Sequence, residues 1–314
     1  MQIIELNYPF ATSIEFNTVK QVIALGDFDG IHLGHQEVIE RTLATAKRLG
    51  LPAAIMTFHP HPRVVLGQSK YEQNLTPLDY KMELFAKMGI EYVYLVHFTL
   101  TFARISPEEF VEHVLVPLAA KSIVVGFDFT FGHEGKGTPE GLQQLGSDKF
   151  FVEIIPPFQL LGKKVSSTNI REFLFKGSIE EANHLIGRSY RVRGKVVTGD
   201  GRGRTIGFPT ANIEPSADYV IPKNGVYAVR CKVHEHKYNA VMNIGTKPTF
   251  TDDEVKITLE AHLFDFDQTI YNEIIEVEFI HYIRSEQKFA GIQELIQQIQ
   301  KDVTEAKRIL GMYI

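Results

Sequence analysis

Apolar positions in the first 186 residues follow two alternating rhythms. The short apolar runs Val22–Leu25, Ala53–Phe58, Tyr92–Val96, Ile123–Phe127 and Phe151–Ile155 predict strands covered on both faces. Between the first two runs, Ile39, Leu43, Ala46 and Leu49 recur at helical spacing, and the pattern stops at Gly50 with Pro52 just beyond. Thr76-Pro77 opens a second helix that closes at Gly89. Ser106-Pro107-Glu108-Glu109 spells a capping box with proline at the first helical position, which predicts a helix over Pro107–Ala119. Strand and helix in alternation predict an α/β domain with a doubly wound parallel sheet and ligands at the carboxyl ends of its strands.

The rhythm then changes. Ser178-Ile179-Glu180-Glu181 reads as a second capping box, opening a short helix that ends near Gly187. Beyond it, Arg191–Val197, Gly225–Val233, Tyr238–Asn243, Ile257–Phe264 and Ile274–Ile283 are strand-like with no helical pattern between them, which predicts an antiparallel barrel or sandwich. An amphipathic helix over Ile292–Leu310 follows. The boundary is therefore expected near residue 186, giving domains 1–186 and 187–314, in keeping with 314 residues at roughly 150 per domain.

Composition narrows the function. A net charge of −5 makes the chain a poor polyelectrolyte partner for DNA or RNA, so no nucleic-acid partner is expected. Cys231, the single cysteine, excludes an internal disulfide and a thiolate metal cluster, and points to a reducing compartment. The opening Met1-Gln2-Ile3-Ile4-Glu5 is unlike a signal peptide, and no apolar run nears the ~20 residues that span a bilayer. A cytoplasmic location with no membrane partner is the expectation.

The most informative stretch is Gly26-Asp27-Phe28-Asp29-Gly30-Ile31-His32-Leu33-Gly34-His35, between the first strand and the first long helix. Its glycines allow backbone amides to approach a ligand, and the helix behind presents unpaired N–H groups to phosphate. His32 and His35, three apart, can face the same spot and donate to a triphosphate as charge builds on its leaving group. A calcium loop is excluded, because the ligand before the glycine and the later glutamate are missing. A histidine metal pair lacks an evident third ligand, and a plain glycine turn with two solvated histidines is the remaining alternative.

Downstream, Ser166-Ser167-Thr168-Asn169-Ile170-Arg171 offers Ser167 or Thr168 as a helix cap, with Arg171 in the first turn able to fork onto phosphate oxygens. Together the two segments resemble the signatures of the nucleotidyltransferase superfamily, and the flanks of the first resemble prokaryotic bifunctional riboflavin kinase/FAD synthetases. The resemblance implies a Rossmann-like, nucleotidyltransferase-like first domain. It also implies that Gly26, Phe28, Asp29, Gly30, Gly34, Ser167 and Thr168 bind nucleotide, with His32, His35 and Arg171 catalytic. Thr57–Pro62, containing His59 and His61, and Gly126–Gly132, with Asp128 as its polar contact, fit the same family on the nucleotide and flavin side. Two places depart from the family pattern: Asp27, and the loop His133–Gly137, where Lys136 supplies the positive charge.

The second half carries Gly199-Asp200-Gly201-Arg202-Gly203-Arg204-Thr205-Ile206-Gly207-Phe208-Pro209-Thr210-Ala211-Asn212. Its glycines fail the dinucleotide spacing in every register, and no Gly-x4-Gly-Lys-Ser/Thr occurs, so a P-loop is excluded. Thr210 and Asn212 would share a face in extended chain, and their hard oxygens suit Mg²⁺ shared with ATP phosphates. The segment resembles flavokinase, as do Gly225-Val226-Tyr227, Asn243–Phe250, Leu259-Glu260-Ala261-His262-Leu263 and Arg284-Ser285-Glu286. That resemblance implies a flavokinase-like antiparallel β-barrel with a terminal helix. Gly201, Arg202, Gly203, Arg204, Gly207, Pro209, Tyr227 and Arg284 would bind nucleotide or flavin, and Thr210 and Asn212 the metal. The substrates so implied are ATP, riboflavin and FMN, and the product is FAD. A riboflavin hydroxyl must lose a proton to attack, whereas the FMN phosphate is already an anion, so the kinase step alone needs a carboxylate base. Glu260 is the candidate, at opposite parity to Leu259, Ala261 and Leu263.

Overall fold

The computed structural model describes residues 1–9, 19–160, 162–199, 201–248 and 255–312, the side chains of Lys163, Arg202, Lys247, Pro248, Val255 and Lys256 excepted. The expected contribution of the Arg202 side chain and the Thr249-Phe250 end of the Asn243–Phe250 segment therefore lie outside the described residues. The chain divides into two compact units, Met1–Ser167 and Thr168–Ile314.

In the first unit β1 (Gln2–Leu6), β2 (Gln21–Leu25), β3 (Ala53–His59), β4 (Tyr92–His97), β5 (Ala120–Gly126) and β6 (Phe151–Ile155) form one sheet in the order β1-β4-β3-β2-β5-β6, and every pair is parallel. Strand parity builds a core on each face. Val22 and Ala24 pack with Val38, Ile39 and Ala46 of α1 (Leu33–Leu49), and with Met82 and Phe85 from the helix Leu78–Met88. Ile23 and Leu25 face the opposite way, toward Phe110, Val114 and Leu118. The carboxyl ends of β2, β3 and β5 are thereby brought to one rim of the sheet.

Two expectations are corrected here. The helix predicted over Pro107–Ala119 is α-helical only across Pro107–Phe110, widens to a π-turn at Val111–Leu115 and stops. Pro117 lacks an N–H and its ring collides with the carbonyl one turn back, so the helix cannot run through it. The edge strand β1 was not predicted, because its half-exposed residues show neither a continuous apolar run nor clean alternation.

The second unit opens with a helical pair, Ser167–Lys176 (all but its first residue) and Ile179–Ile186, which runs into a closed six-stranded antiparallel barrel. Its strands are β9 (Tyr190–Val197), β10 (Ala211–Pro215), β11 (Gly225–Val233), β12 (His236–Pro248), β13 (Val255–Leu263) and β14 (Ile274–Arg284), ordered β10-β13-β12-β11-β14-β9. The barrel, not the sandwich, is thus the observed fold, and β10 is a strand the sequence did not announce. The helical pair packs on this unit: Asn183 Nδ2 donates to the Phe279 carbonyl at 2.9 Å, and the Lys223 N–H to the Leu174 carbonyl at 3.0 Å.

Ser178 makes no side-chain cap, contrary to the expected capping box. The Ser178 N–H is tied back to the Phe173 carbonyl at 2.9 Å through left-handed Gly177, and this tight link sets a ψ of 71° that is unsuited to capping. The terminal helix, Ile292–Ile309, covers Val226, Ala228, Val241 and Phe264 of the barrel with Ala306 and Leu310. Cys231 is fully buried, and burial pushes its thiol up to about 12, which leaves it without thiolate reactivity at neutral pH.

Candidate active sites

The glycine–histidine loop leaves β2 and turns sharply into α1. Phe28, Gly30 and Ile31 all have positive φ, at 56°, 91° and 39°, and two of these are side-chain-bearing residues held in a costly region of backbone space. Packing enforces the turn. Phe28 is buried edge-on to Phe85 and His35, and a Cβ at Gly26 would lie 3.0 Å from its ring. Asp29 is a strut: its Oδ1 accepts from the Thr76 N–H at 3.0 Å, and its carbonyl accepts from the Ser167 hydroxyl at 2.8 Å. Gly30 must be glycine, both for its φ and because a Cβ would meet Leu75 at 3.1 Å.

His32 caps α1, its Nδ1 accepting from the His35 N–H at 3.2 Å. In the neutral ring the proton therefore sits on Nε2. The two imidazoles stack with centroids 3.6 Å apart and planes 16° from parallel. A Cβ at Gly34 would meet His32 Cε1 at 3.3 Å, so small size at that position keeps the stack close to the backbone. The first turn of α1 carries no acidic side chain, so the positive end of the helix dipole is not neutralised from within the helix.

Beside the loop, Asp27 has partners on several sides. His61 caps a short helical turn through Nδ1, and its Nε2 lies 3.3 Å from Asp27 Oδ2, while Lys81 Nζ and the Thr57 hydroxyl donate to the Asp27 carbonyl at 2.7 and 2.9 Å. The Asp27 carboxylate thus faces the His61 ring, and its main-chain carbonyl is held by Lys81 and Thr57. His59 is held below its ordinary value chiefly by burial, then by Lys81 and His97, so at neutral pH it acts as a neutral imidazole and not as a phosphate-binding cation.

At the end of β5, Lys164 reaches Asp128 Oδ2 at 2.8 Å and lies over the Phe127 ring at 4.5 Å. Lys136, the expected cation of the neighbouring loop, pairs with Glu134 at 3.1 Å. Of the two phenylalanines, Phe131 is buried against Phe110, and Phe129 stacks on Phe131 from a half-buried position. The expected cap at Ser167 or Thr168 is revised: the helix begins at Ser167, so both hydroxyls lie inside its first turn. Thr168 and Arg171 belong to the second compact unit, where Arg171 is buried on the same helix as Ile170 and Leu174.

The second cluster lies on the barrel. Asn212 of β10 stands opposite Glu260 of β13, and Asn243 of β12 stands opposite the same Glu260 from the other side. Leu259, Ala261 and Leu263 are buried, so Glu260 projects to the other face, with Asn212 and Asn243 flanking it. Thr210 shares the parity of Asn212. Glycines let the preceding loop close down here: a Cβ at Gly199 would fall 2.1 Å from Asn212 Nδ2, and one at Gly203 would fall 2.3 Å from the Phe208 carbonyl and 3.4 Å from Thr210 Oγ1. Gly201 and Gly207 take left-handed φ at the two ends of the helical turn Arg202–Thr205, and Arg204 and Pro209 are exposed on this loop.

Two residues expected to contact ligand have partners within the protein. Tyr227 is wholly buried, packs on Phe279 and Tyr282, and gives its hydroxyl to the Lys223 carbonyl, with burial pushing its pKa up. Arg284 forks onto Asp302 of the terminal helix at 2.8 and 2.7 Å, and Gln298 donates to the same carboxylate at 2.9 Å. Sequence reasoning did not single out Asn243 or Asp302. Asn243 becomes visible only through register, and Asp302 sits on a helix whose apolar stripe was the dominant signal.

A family model described as FAD synthetase matches residues 15–169, and one described as riboflavin kinase matches residues 186–310. The chain is 42% identical over 308 residues to a Listeria monocytogenes protein and 44% identical over 310 residues to a Bacillus subtilis protein, with 98% of each chain covered in both cases. Both are named bifunctional riboflavin kinase/FMN adenylyltransferase. A solved Streptococcus pneumoniae structure, described as a macrolide-efflux protein, superposes with a TM-score of 0.90 at 33% identity, over 98% of this chain and 99% of that one. Among the described residues no helix is long and apolar enough to cross a membrane.

Proposed function

The chain belongs to the bifunctional riboflavin kinase/FMN adenylyltransferase family, and on that premise we propose how its two halves divide the work. Residues 187–314 phosphorylate riboflavin with ATP to give FMN and ADP; residues 1–186 adenylylate FMN with a second ATP to give FAD and pyrophosphate. The observation that carries the kinase half is the register that sets Asn212, Glu260 and Asn243 side by side, with Thr210 just before β10. Glu260 takes the proton from the attacking hydroxyl of riboflavin. Thr210 and Asn212 offer neutral, hard oxygens that would hold Mg²⁺ carried in with ATP. Bound there, the ion supplies positive charge to the phosphates. The glycine loop over Asn212 and Thr210 encloses those phosphates.

In the first half no base is needed. His32 and His35, stacked at the N-terminus of α1, donate to the departing pyrophosphate, while the amides of the strained loop approach the nucleotide; the resemblance to nucleotidyltransferases assigns Arg171 to the same reaction. Asp29 and Ser167 act by holding that loop. Asp128 and its partner Lys164 border the flavin side. The acidic balance and single buried cysteine support a cytoplasmic enzyme of small molecules with no nucleic-acid or membrane partner.

The test is direct. Pure protein is incubated with riboflavin, ATP and Mg²⁺, then with FMN, ATP and Mg²⁺, and the flavins are separated by chromatography. FMN and FAD should appear in the first mixture and FAD in the second. Accumulation of FMN with no FAD in either mixture overturns the adenylyltransferase assignment, and failure to consume riboflavin overturns the kinase.

A further inference from the structure

We propose that His262 is a positioning residue of the kinase site, which fixes the Pro209–Asn212 segment so that Thr210 and Asn212 face the magnesium ion. The proposal rests on the metal reading above. It starts from where the β10–β13 ladder ends. Pairing runs from Ile213 opposite Leu259, through Asn212 opposite Glu260, to Ala211 opposite Ala261, and there it stops. Pro209 has no N–H to extend the ladder, so backbone pairing cannot anchor the residues just before Ala211. The side chain of His262 takes over: its Nδ1 lies 2.8 Å from the Pro209 carbonyl oxygen.

A carbonyl only accepts, so Nδ1 must carry the proton, and the neutral ring is the Nδ1–H tautomer. The ring packs edge-on against Phe208 at 5.6 Å and against Phe264 at 5.8 Å. His262 is two residues from Glu260 and projects to the same face of β13, as the buried positions of Ala261 and Leu263 require. One strand therefore carries the base at one position and, one pleat along, the strut that holds the metal-binding segment. The pairing also couples the two, because β13 cannot shift in register without moving both.

The experiment compares His262→Phe, His262→Asn and Asn212→Ala. Phenylalanine keeps the ring contacts and removes the hydrogen bond, whereas asparagine places an amide N–H where Nδ1–H stood. Half-saturation of FMN formation by Mg²⁺ should rise about five- to tenfold in His262→Phe, the scale of one lost hydrogen bond with some loosening around it. It should return to within about twofold of wild type in His262→Asn, while FMN-to-FAD conversion stays unchanged in both. A purely structural role would lower the melting temperature of His262→Phe without moving the Mg²⁺ titration, and that result overturns the proposal. Equal shifts in the phenylalanine and asparagine variants overturn it too. If Asn212→Ala leaves the titration unchanged, the metal reading fails and the proposal fails with it; if Asn212→Ala shifts and His262→Phe does not, only the proposal fails. Imidazole nitrogen NMR on the metal-free, ATP-free protein gives a readout independent of activity. A protonated Nδ1 on His262 is expected, and an Nε2–H tautomer refutes the bond.

Discussion

Replacing Glu260 with glutamine tests the separation of the two chemistries. The change is nearly isosteric, and Glu260 points away from buried Leu259, Ala261 and Leu263, so β13 keeps its pairing and the barrel its core. A near-isosteric change of this kind falls at the small end of the ~0.5–3 kcal/mol range of single substitutions. An amide cannot take up the proton of the riboflavin hydroxyl, and loss of a general base lowers rates by about 10²- to 10⁴-fold. At about 1.36 kcal/mol per tenfold, the barrier to FMN formation rises by roughly 2.7–5.4 kcal/mol. FMN-to-FAD conversion needs no such base, because its nucleophile is a phosphate that is already ionised. The assay follows both reactions in the same preparation, with initial rates of FMN formed from riboflavin and of FAD formed from FMN, each resolved by chromatography. The result that refutes the reasoning is a fall in both rates together, or FMN formation that keeps more than about a tenth of its wild-type rate.

Three further outcomes are expected. His32→Ala, His35→Ala and Arg171→Ala should each slow FAD synthesis by about a hundred- to thousandfold, the effect of one lost donor to a departing anion, with riboflavin phosphorylation near wild type; FAD formed at the normal rate by Arg171→Ala would reduce its segment to a helix start. Asp302→Ala strands the Arg284 guanidinium, whose side chain is 21% exposed against 6% for Asp302, and should cost about 3 kcal/mol in a denaturant melt; an unchanged midpoint would show that the pair does not anchor the terminal helix. His59 is held below its ordinary value of 6.5 chiefly by burial, so the unfolded chain takes up its proton first, and stability should rise with pH up to that value and be lost as pH falls below it. Urea melts across that range should give a shallower pH slope for His59→Gln, and an identical slope would remove His59 as the source.

Much of the molecule was legible because it is local. The first strand, the glycine–histidine turn and α1 follow from a buried apolar run, residues that tolerate a tight turn and a helical stripe ended by Gly50, all within a span of thirty residues. Pro117 was equally local and its stop signal went unread, which is why the predicted helix ran too long. Ser178 shows a different limit: its capping box is correct in sequence, but the backbone link from Gly177 decides the ψ that a cap needs.

Register and closure belong to the tertiary structure. Alternation put Glu260 on the face opposite Leu259 and Ala261, but only the pairing of β13 with β10 and β12 brings Asn212 and Asn243, forty-eight and seventeen residues away, against it. The choice between barrel and sandwich turned on β10, too short and too proline-flanked to read as a strand, which closes the sheet between β9 and β13. Tyr227 and Arg284 show the same division, since residue type alone suits both to a ligand, while burial and Asp302 give them partners within the protein. A sequence specifies which faces are apolar and which turns are sharp; it does not state which distant strand will lie alongside, because that depends on burying all the faces at once.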